Sequence, residues 1–354
     1  MKKAIAFLLA LALLCPVLLT ACSGSDTVTI NVYNWGEYID DEVMDVNEAF
    51  YEKTGIKVNY KTFDTNESMY TLISSGAADY DVVFPSDYMV GKMIKEGLLA
   101  ELDFNNIPNY KYIGDEYKNL AYDPENKYSV PYTWGTVGIF YNKKYVDIAD
   151  LEEQGWDILW NEKYKDQIYM FDNPRDAFAI AENLLGYSYN TENEAELQAA
   201  YEKLLAQKPL LQGYYTDQIF QKMINEEGWL APYYAGDATI MMYGEEGNKN
   251  IDFYVPKSGT NFFVDAMCVL KDSKHKAEAE AYINFLCETE VAKANAEYIG
   301  YSTPHTEARK VLDPEVGENP IFYPDLTKMK TEVFLTLSED ANKLMNELWL
   351  KLRT

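Results

Sequence analysis

Residues 28–43 read VTINVYNWGEYIDDEV, and this stretch decides the fold. Val28, Ile30 and Val32 alternate with Thr29, Asn31 and Tyr33, the two-residue period of a strand over 28–34. The apolar spacing then turns helical: Val43, Val46 and Phe50 share one face of a helix over 41–53, closed by Gly55. A second alternating run at 56–61 completes a strand–helix–strand unit. The rhythm continues outward with a helix at 66–74, a nearly continuous apolar strand at 80–84 (YDVVF) and a helix at 87–96 that stops at Gly97. Apolar strands between helices belong in a parallel sheet covered on both faces.

The middle differs. Residues 128–142 (YSVPYTWGTVGIFYN) are extended and rich in Tyr, Trp and Gly, a stretch able to cross from one lobe to another. The alternation resumes with a strand at 167–171, helices at 175–185, 194–206 and 217–226, a strand at 238–243, a strongly strand-like run at 262–270 (FFVDAMCVL), a helix at 277–287 and an amphipathic helix at 340–352. The expected fold is α/β in two lobes, in keeping with 354 residues at roughly 150 per domain. Ligands in open α/β sheets sit at the carboxyl ends of strands. WGEY (35–38), FPSDY (84–88) and DNPRD (172–176) stand at such ends.

The first residues are a targeting segment. Lys2 and Lys3 precede an apolar run over 4–20 that Pro16 interrupts, and Leu19-Thr20-Ala21-Cys22 resembles a lipobox, in which the cysteine is lipidated and becomes the new first residue. Residues 1–21 read as a lipoprotein signal peptide and 22–27 as a flexible tether. The working chain is then extracytoplasmic, held at the cell membrane through Cys22.

Composition narrows the ligand. Fifty-seven acids face 31 bases, a formal net charge of −26. Nucleic acid, which wants basic patches, is excluded as a partner; cations are attracted at long range. Beyond Cys15 and Cys22 only Cys268 and Cys287 remain, in apolar surroundings. Buried free thiols and a disulfide between them both stay open. The only histidines, His275 and His305, lack partners at metal-ligand spacing, so no metal or cofactor is expected. G-x-S-x-G, G-x-G-x-x-G and P-loop motifs are absent, and Ser273-Lys274-His275-Lys276 matches S-x-x-K without supporting motifs. No enzyme is expected. Two α/β lobes on a lipid-anchored chain instead suggest a binding protein that hands a solute to a transporter.

The order YNWGEY, FPSDY, VPYTWGTVG, DNPRD, FFVDAM and IGYSTPH resembles the spermidine/putrescine-binding proteins of polyamine ABC transporters, from about residue 28 to about 312. The resemblance implies a periplasmic-binding-protein fold (type II-like): lobe 1 of 28–136 plus 262–302, lobe 2 of 137–261 plus 303–354, joined by crossing strands with a cleft between. It implies a monomer that closes on a polyamine and docks on a membrane-embedded ABC permease. Trp35 and Tyr38 would flank one end of the ligand and Glu37 take a terminal ammonium. Ser86 and Tyr88 would line the same lobe. Asp265 would hold an amine, Phe263 would stack where the family usually has Trp, Asp176 would take an ammonium from the second lobe, Tyr243 would stack where the family often has Trp, and Tyr301 would lie on the methylenes. Gly36 stands where some members have a hydroxyl residue, and Asn173 where some have Asp. The chemistry agrees independently, because a polyamine needs carboxylates spaced like its charges and aromatic faces along its methylenes. Blander roles are also open: Trp35 and Tyr243 as core, Glu37 as a solvated loop acid, Ser86 as a helix cap, Asp176 as a first-turn acid. A lone acid inside FFVDAMCVL is the hardest to explain that way. Another cationic solute such as a basic amino acid is the alternative ligand, and the pair Tyr233–Tyr234 leaves ferric iron as a more distant one.

Overall fold

The computed structural model describes residues 27–36, 38–77 and 79–354. The signal peptide, Cys22 and Glu37 lie outside the described residues. Among the described residues ten strands form the sheet: β1 (Thr29–Trp35), β2 (Lys57–Phe63), β3 (Val82–Val83), β4 (Ser129–Asn142), β5 (Ile168–Phe171), β6 (Leu211–Tyr215), β7 (Leu230–Tyr234), β8 (Ile251–Tyr254), β9 (Thr260–Val269) and β10 (Thr331–Glu332). Their order is β2-β1-β3-β9-β4-β7-β5-β6, with β8 on β4 and β10 on β9.

The opening unit forms as its periodicity predicts. β1 and β2 run parallel from Thr29↔Lys57 to Trp35↔Phe63. The joining helix, however, is Val46–Thr54, and Val43 is 86% exposed. The cause is Asp40, whose carboxylate accepts from the backbone N–H of Glu42, Val43 and Met44 at 3.2, 2.8 and 3.0 Å. Such bonds compete with the helix for the same donors. Asp45 then caps the helix by accepting from the Glu48 N–H, and Val46 and Phe50 go into the core.

β4 and β9 are buried along their whole lengths, as strands covered on both faces must be. β4 changes partners midway. Ser129 to Thr136 pair antiparallel with β9. Val137 to Asn142 pair with β7 and β8. One strand therefore belongs to both halves of the sheet, and β3 closes against the far side of β9. The segment around β10 crosses too: Arg175 Nη2 donates to the Leu335 carbonyl at 3.1 Å, while Thr336 Oγ1 donates to the Tyr88 carbonyl at 2.7 Å.

Two further elements depart from expectation. Residues 238–243 are no strand: Thr239–Tyr243 is a π-helical turn, and the strand is Leu230–Tyr234 just before it. Thr239 Oγ1 donates to the Gly236 carbonyl at 2.9 Å, and Met241 turns into the core. The helix expected at 217–226 is only Ile219–Ile224. Cys268 and Cys287 are buried free thiols. Among the described residues no helix is long and apolar enough to cross a membrane.

Candidate ligand-binding site

Three buried aspartates, each bonded to a tyrosine, meet where the two halves of the sheet join. β9 carries the first. Asp265 lies opposite Thr133 of β4 and bridges to Ser86 on its other side. Tyr38 donates its phenol to Asp265 Oδ2 at 2.6 Å and lies 2.7 Å from the Thr133 hydroxyl. Asp265 is 5% exposed, and its Oδ1 has no partner among the described residues. Burial pushes this carboxyl up; the hydroxyls of Ser86, Tyr38 and Thr133 pull it back.

The second is Asp176, in the first turn of the helix Pro174–Leu185. Tyr234, the last residue of β7, donates to Asp176 Oδ2 at 2.9 Å. Burial raises this carboxyl to about 6, against the Tyr234 bond and the Arg175 charge, which lower it. The third is Asp237, whose Oδ2 accepts from the Tyr301 phenol at 2.9 Å.

The rings of these tyrosines form one cluster around Phe263. Tyr301 lies 5.5 Å from Tyr38 and 6.1 Å from Phe263, and Phe263 lies 5.5 Å from Tyr234, all edge-on. Gly135 makes room for Phe263, since a Cβ there would come within 2.6 Å of the ring. Negative ring faces beside carboxylates, out of water, make a place for a cation with an apolar body.

Most residues expected at the site from the sequence are near this cluster, in different roles. Tyr38, Phe263, Asp265, Asp176 and Tyr301 compose it. Ser86 is clasped by Asn66, donating its N–H to Oδ1 at 3.1 Å and accepting from Nδ2 at 3.0 Å; it makes no cap bond to its helix. Trp35 gives its indole N–H to the Phe84 carbonyl at 2.8 Å and lays its ring 4.5 Å from Phe63. Tyr88 donates to Glu67 at 2.9 Å. Gly36 has nothing within 4 Å of where a Cβ would stand. Asn173 is the helix cap, its Oδ1 accepting from the Arg175 N–H at 2.9 Å.

Tyr243, expected to stack on the ligand, is placed apart from these rings. It is 56% exposed, accepts from Asn319 at 3.1 Å and packs near Phe322, away from the cluster. The ring beside Phe263 is that of Tyr234. The signal was available: Tyr234 ends a strand of the parallel part of the sheet beside Phe171, the position where ligands sit. Asp237 and Thr133 carried no such signal. Asp87 was also passed over; it is fully buried, with Oδ1 on the Tyr88 N–H at 2.7 Å and Oδ2 without a partner among the described residues. Tyr233, the other half of the tyrosine pair, donates to Asp217 at 3.0 Å instead of sharing a centre with Tyr234.

A two-lobed α/β sheet with an acidic, aromatic-lined junction is the build of a solute receptor, and the chain belongs to the bacterial extracellular solute-binding proteins, the family it matches over residues 46–324. It is 35% identical over 338 residues to the spermidine/putrescine-binding periplasmic protein of Salmonella typhimurium, covering 95% of this chain and 94% of that one. Its fold is that of a putative spermidine/putrescine ABC transporter protein from Listeria monocytogenes (TM-score 0.84, 37% identity, 92% of this chain and 99% of the other). The spermidine/putrescine ABC transporter substrate-binding protein of Streptococcus pneumoniae is similar as well (TM-score 0.81, 38% identity, 92% and 98%).

Proposed function

We propose that this chain captures a polyamine, spermidine or putrescine, between its lobes and delivers it to the membrane-embedded permease of an ABC importer. The observation that carries this is the set of three buried aspartates, each held by a tyrosine whose ring belongs to one cluster. A buried carboxylate is costly alone and favourable against a fitted ammonium. The rings supply faces for methylenes. Asp265, Asp176 and Glu37 take ammonium groups; Tyr38, Phe263, Tyr234 and Tyr301 line the chain between them; Trp35, Gly36, Ser86 and Tyr88 shape one wall and Asn173 the other. The relatives named for spermidine and putrescine support the same ligand class.

The lobes we assign are 28–136 with 262–302 and 137–261 with the C-terminal part. The partner change of β4 at Thr136/Val137 supports the first boundary. His305 lies 3.0 Å from the Cys287 carbonyl and bridges to Ile113, which favours a last crossing near 331–338. Closure is a hinge motion of the two lobes, as in periplasmic binding proteins generally. The protein works as a monomer without catalysis, tethered outside the cytoplasm by lipid on Cys22.

Calorimetric titration of residues 26–354 with spermidine, putrescine and arginine tests the ligand. Binding of a polyamine but not arginine is expected. Binding of arginine alone, or of none of the three by folded protein, rejects the polyamine reading.

A further inference from the structure

Residues 333–338, which follow β10, are bonded at both ends to the second lobe. The side-chain amide of Asn190 brackets Phe334: its Nδ2 donates to the Val333 carbonyl at 2.8 Å, and its Oδ1 accepts from the Leu335 N–H at 2.7 Å. Arg175 joins this grip, donating from Nη2 to Asn190 Oδ1 at 2.6 Å and to the Leu335 carbonyl at 3.1 Å. Its guanidinium carbon stands 4.7 Å from the centre of the Phe334 ring, within cation–π range. At the other end the Ser338 N–H donates to Glu192 Oε1 at 2.7 Å. The middle of the segment leans on the first lobe. The Phe334 ring, buried with Ala179 and Tyr189 in a small cluster apart from the main core, meets Tyr88 edge-on at 6.5 Å. Thr336 Oγ1 donates to the Tyr88 carbonyl at 2.7 Å. Gly91, inside the helix Asp87–Lys95, permits the approach, since a Cβ there would stand 3.1 Å from Thr336 Oγ1.

We propose that residues 333–338 are an arm of the second lobe that latches onto Tyr88 when the lobes close, with Phe334 as the positioning residue; this rests on the lobes and the polyamine capture proposed above. Arg175 and Asn190 fix Phe334 to its own lobe, so opening parts the ring from Tyr88. The Thr336 bond to Tyr88 breaks in the same motion. Both contacts are regained on closing, and the closed form is favoured by their worth. Phe334 offers no polar atom to an amine, and the guanidinium on its ring repels one. Its effect on the ligand therefore passes through Tyr88, whose phenol is held by Glu67 at 2.9 Å and which shapes one wall of the proposed site. Arg175 precedes Asp176 in the first turn of the helix Pro174–Leu185. One helical turn thus supplies both a ligand carboxylate and the grip on the arm, so seating of an ammonium and seating of the latch share one rigid support. A contact made only in the closed form slows escape of the ligand and leaves its encounter with the open form unchanged.

The test is stopped-flow fluorescence of spermidine binding and release by the mature chain, by Phe334→Ala and by Thr336→Val. Dissociation from Phe334→Ala is expected to be about three- to tenfold faster than from wild type, with association within about twofold. Thr336→Val keeps the shape of the side chain and loses the donor to Tyr88; it is expected to speed dissociation about two- to tenfold. It carries the test alone should Phe334→Ala fail to fold. Unchanged dissociation in the folded variants overturns the latch and leaves the polyamine reading standing. Slower association with unchanged dissociation also overturns it. If wild type binds no polyamine, the ligand reading fails and the latch is judged on the empty chain. Spin labels are then placed on Val43→Cys and Leu350→Cys, exposed positions of the first and second lobe, while the native Cys268 and Cys287 are buried. Adding Phe334→Ala is expected to shift the label distances away from the closed form, and identical distributions overturn the proposal.

Discussion

The Tyr38 phenol meets the Asp265 carboxylate at 2.6 Å although 227 residues separate them in the chain. The loop after β1 is thereby tied to the strand that joins the two halves. Asp265→Asn leaves this bond an oxygen acceptor but removes the charge. Loss of polyamine affinity on the order of 2–5 kcal/mol is expected, the penalty for truncating one side of a buried charged pair. Unfolding of the empty variant is expected to be no easier than that of wild type, because burial already disfavours this charge. Titration and thermal melting read the two effects separately, and unchanged affinity would remove Asp265 from the site.

Tyr234 packs against Phe263 while Tyr243 is exposed, and truncating each tests which of them meets the ligand. Tyr234→Phe takes the donor from Asp176 Oδ2 and keeps the ring near Phe263. A loss of about 0.5–1.5 kcal/mol of affinity is expected, the size of one hydrogen bond. Tyr243→Ala changes an exposed side chain and is expected to leave affinity within about 0.5 kcal/mol of wild type. Isothermal titration decides, and the reverse ranking would restore Tyr243.

Glu182 sets a pH dependence. It is fully buried on the helix Pro174–Leu185, and neither carboxylate oxygen has a partner among the described residues. Burial raises it to about 8, although the Arg175 charge pulls it down; Glu332 and Glu196 push it further up. Its folded value exceeds the ordinary carboxylate value of about 4.3. Between the two the folded chain binds more protons than the unfolded one, so stability is lost as pH rises toward 8. From pH 6 to 8 that loss is about 2 kcal/mol. Glu182→Gln removes it. Melting temperatures at pH 6 and 8 should show the variant gaining on wild type at the higher pH, and parallel curves would refute the assignment.

Asn173 offers a substitution with two readouts. Asn173→Ala removes the cap of its helix and is expected to cost about 1 kcal/mol of stability. Asn173→Asp keeps the cap and adds an anion at a helix N-terminus. It should match wild type in denaturant midpoint while binding polyamine more tightly. Unchanged binding by Asn173→Asp would place residue 173 outside the ligand's reach.

The sheet was legible wherever one physical rule dominated. Alternation marked β1 and β2, and unbroken apolar runs marked β4 and β9. Asp265 stood out because an acid inside such a run must be paired or functional. The errors came where side chains or distant contacts overrode local pattern. Asp40 collects three N–H groups and postpones the first helix to Val46. The apolar run at 238–243 has strand composition, yet it folds as a turn between Gly236 and Gly300, whose fit depends on a partner some sixty positions away. Asp237 was passed over because no local pattern distinguishes a turn acid that meets a distant phenol from one that meets solvent.

The dual allegiance of β4 and β9 bears on the order in which the molecule can be made. β3 presents Val82 and Val83 to Val269 and Cys268, which leave the ribosome roughly 190 residues later, a delay of about 10–40 s at ordinary synthesis rates. Until then the first three strands have an open edge, the feature that invites pairing with the wrong chain. The N-terminal strands therefore cannot finish as an independent unit: birth order and spatial order disagree, and the nascent chain must be kept from self-association until its last third has emerged.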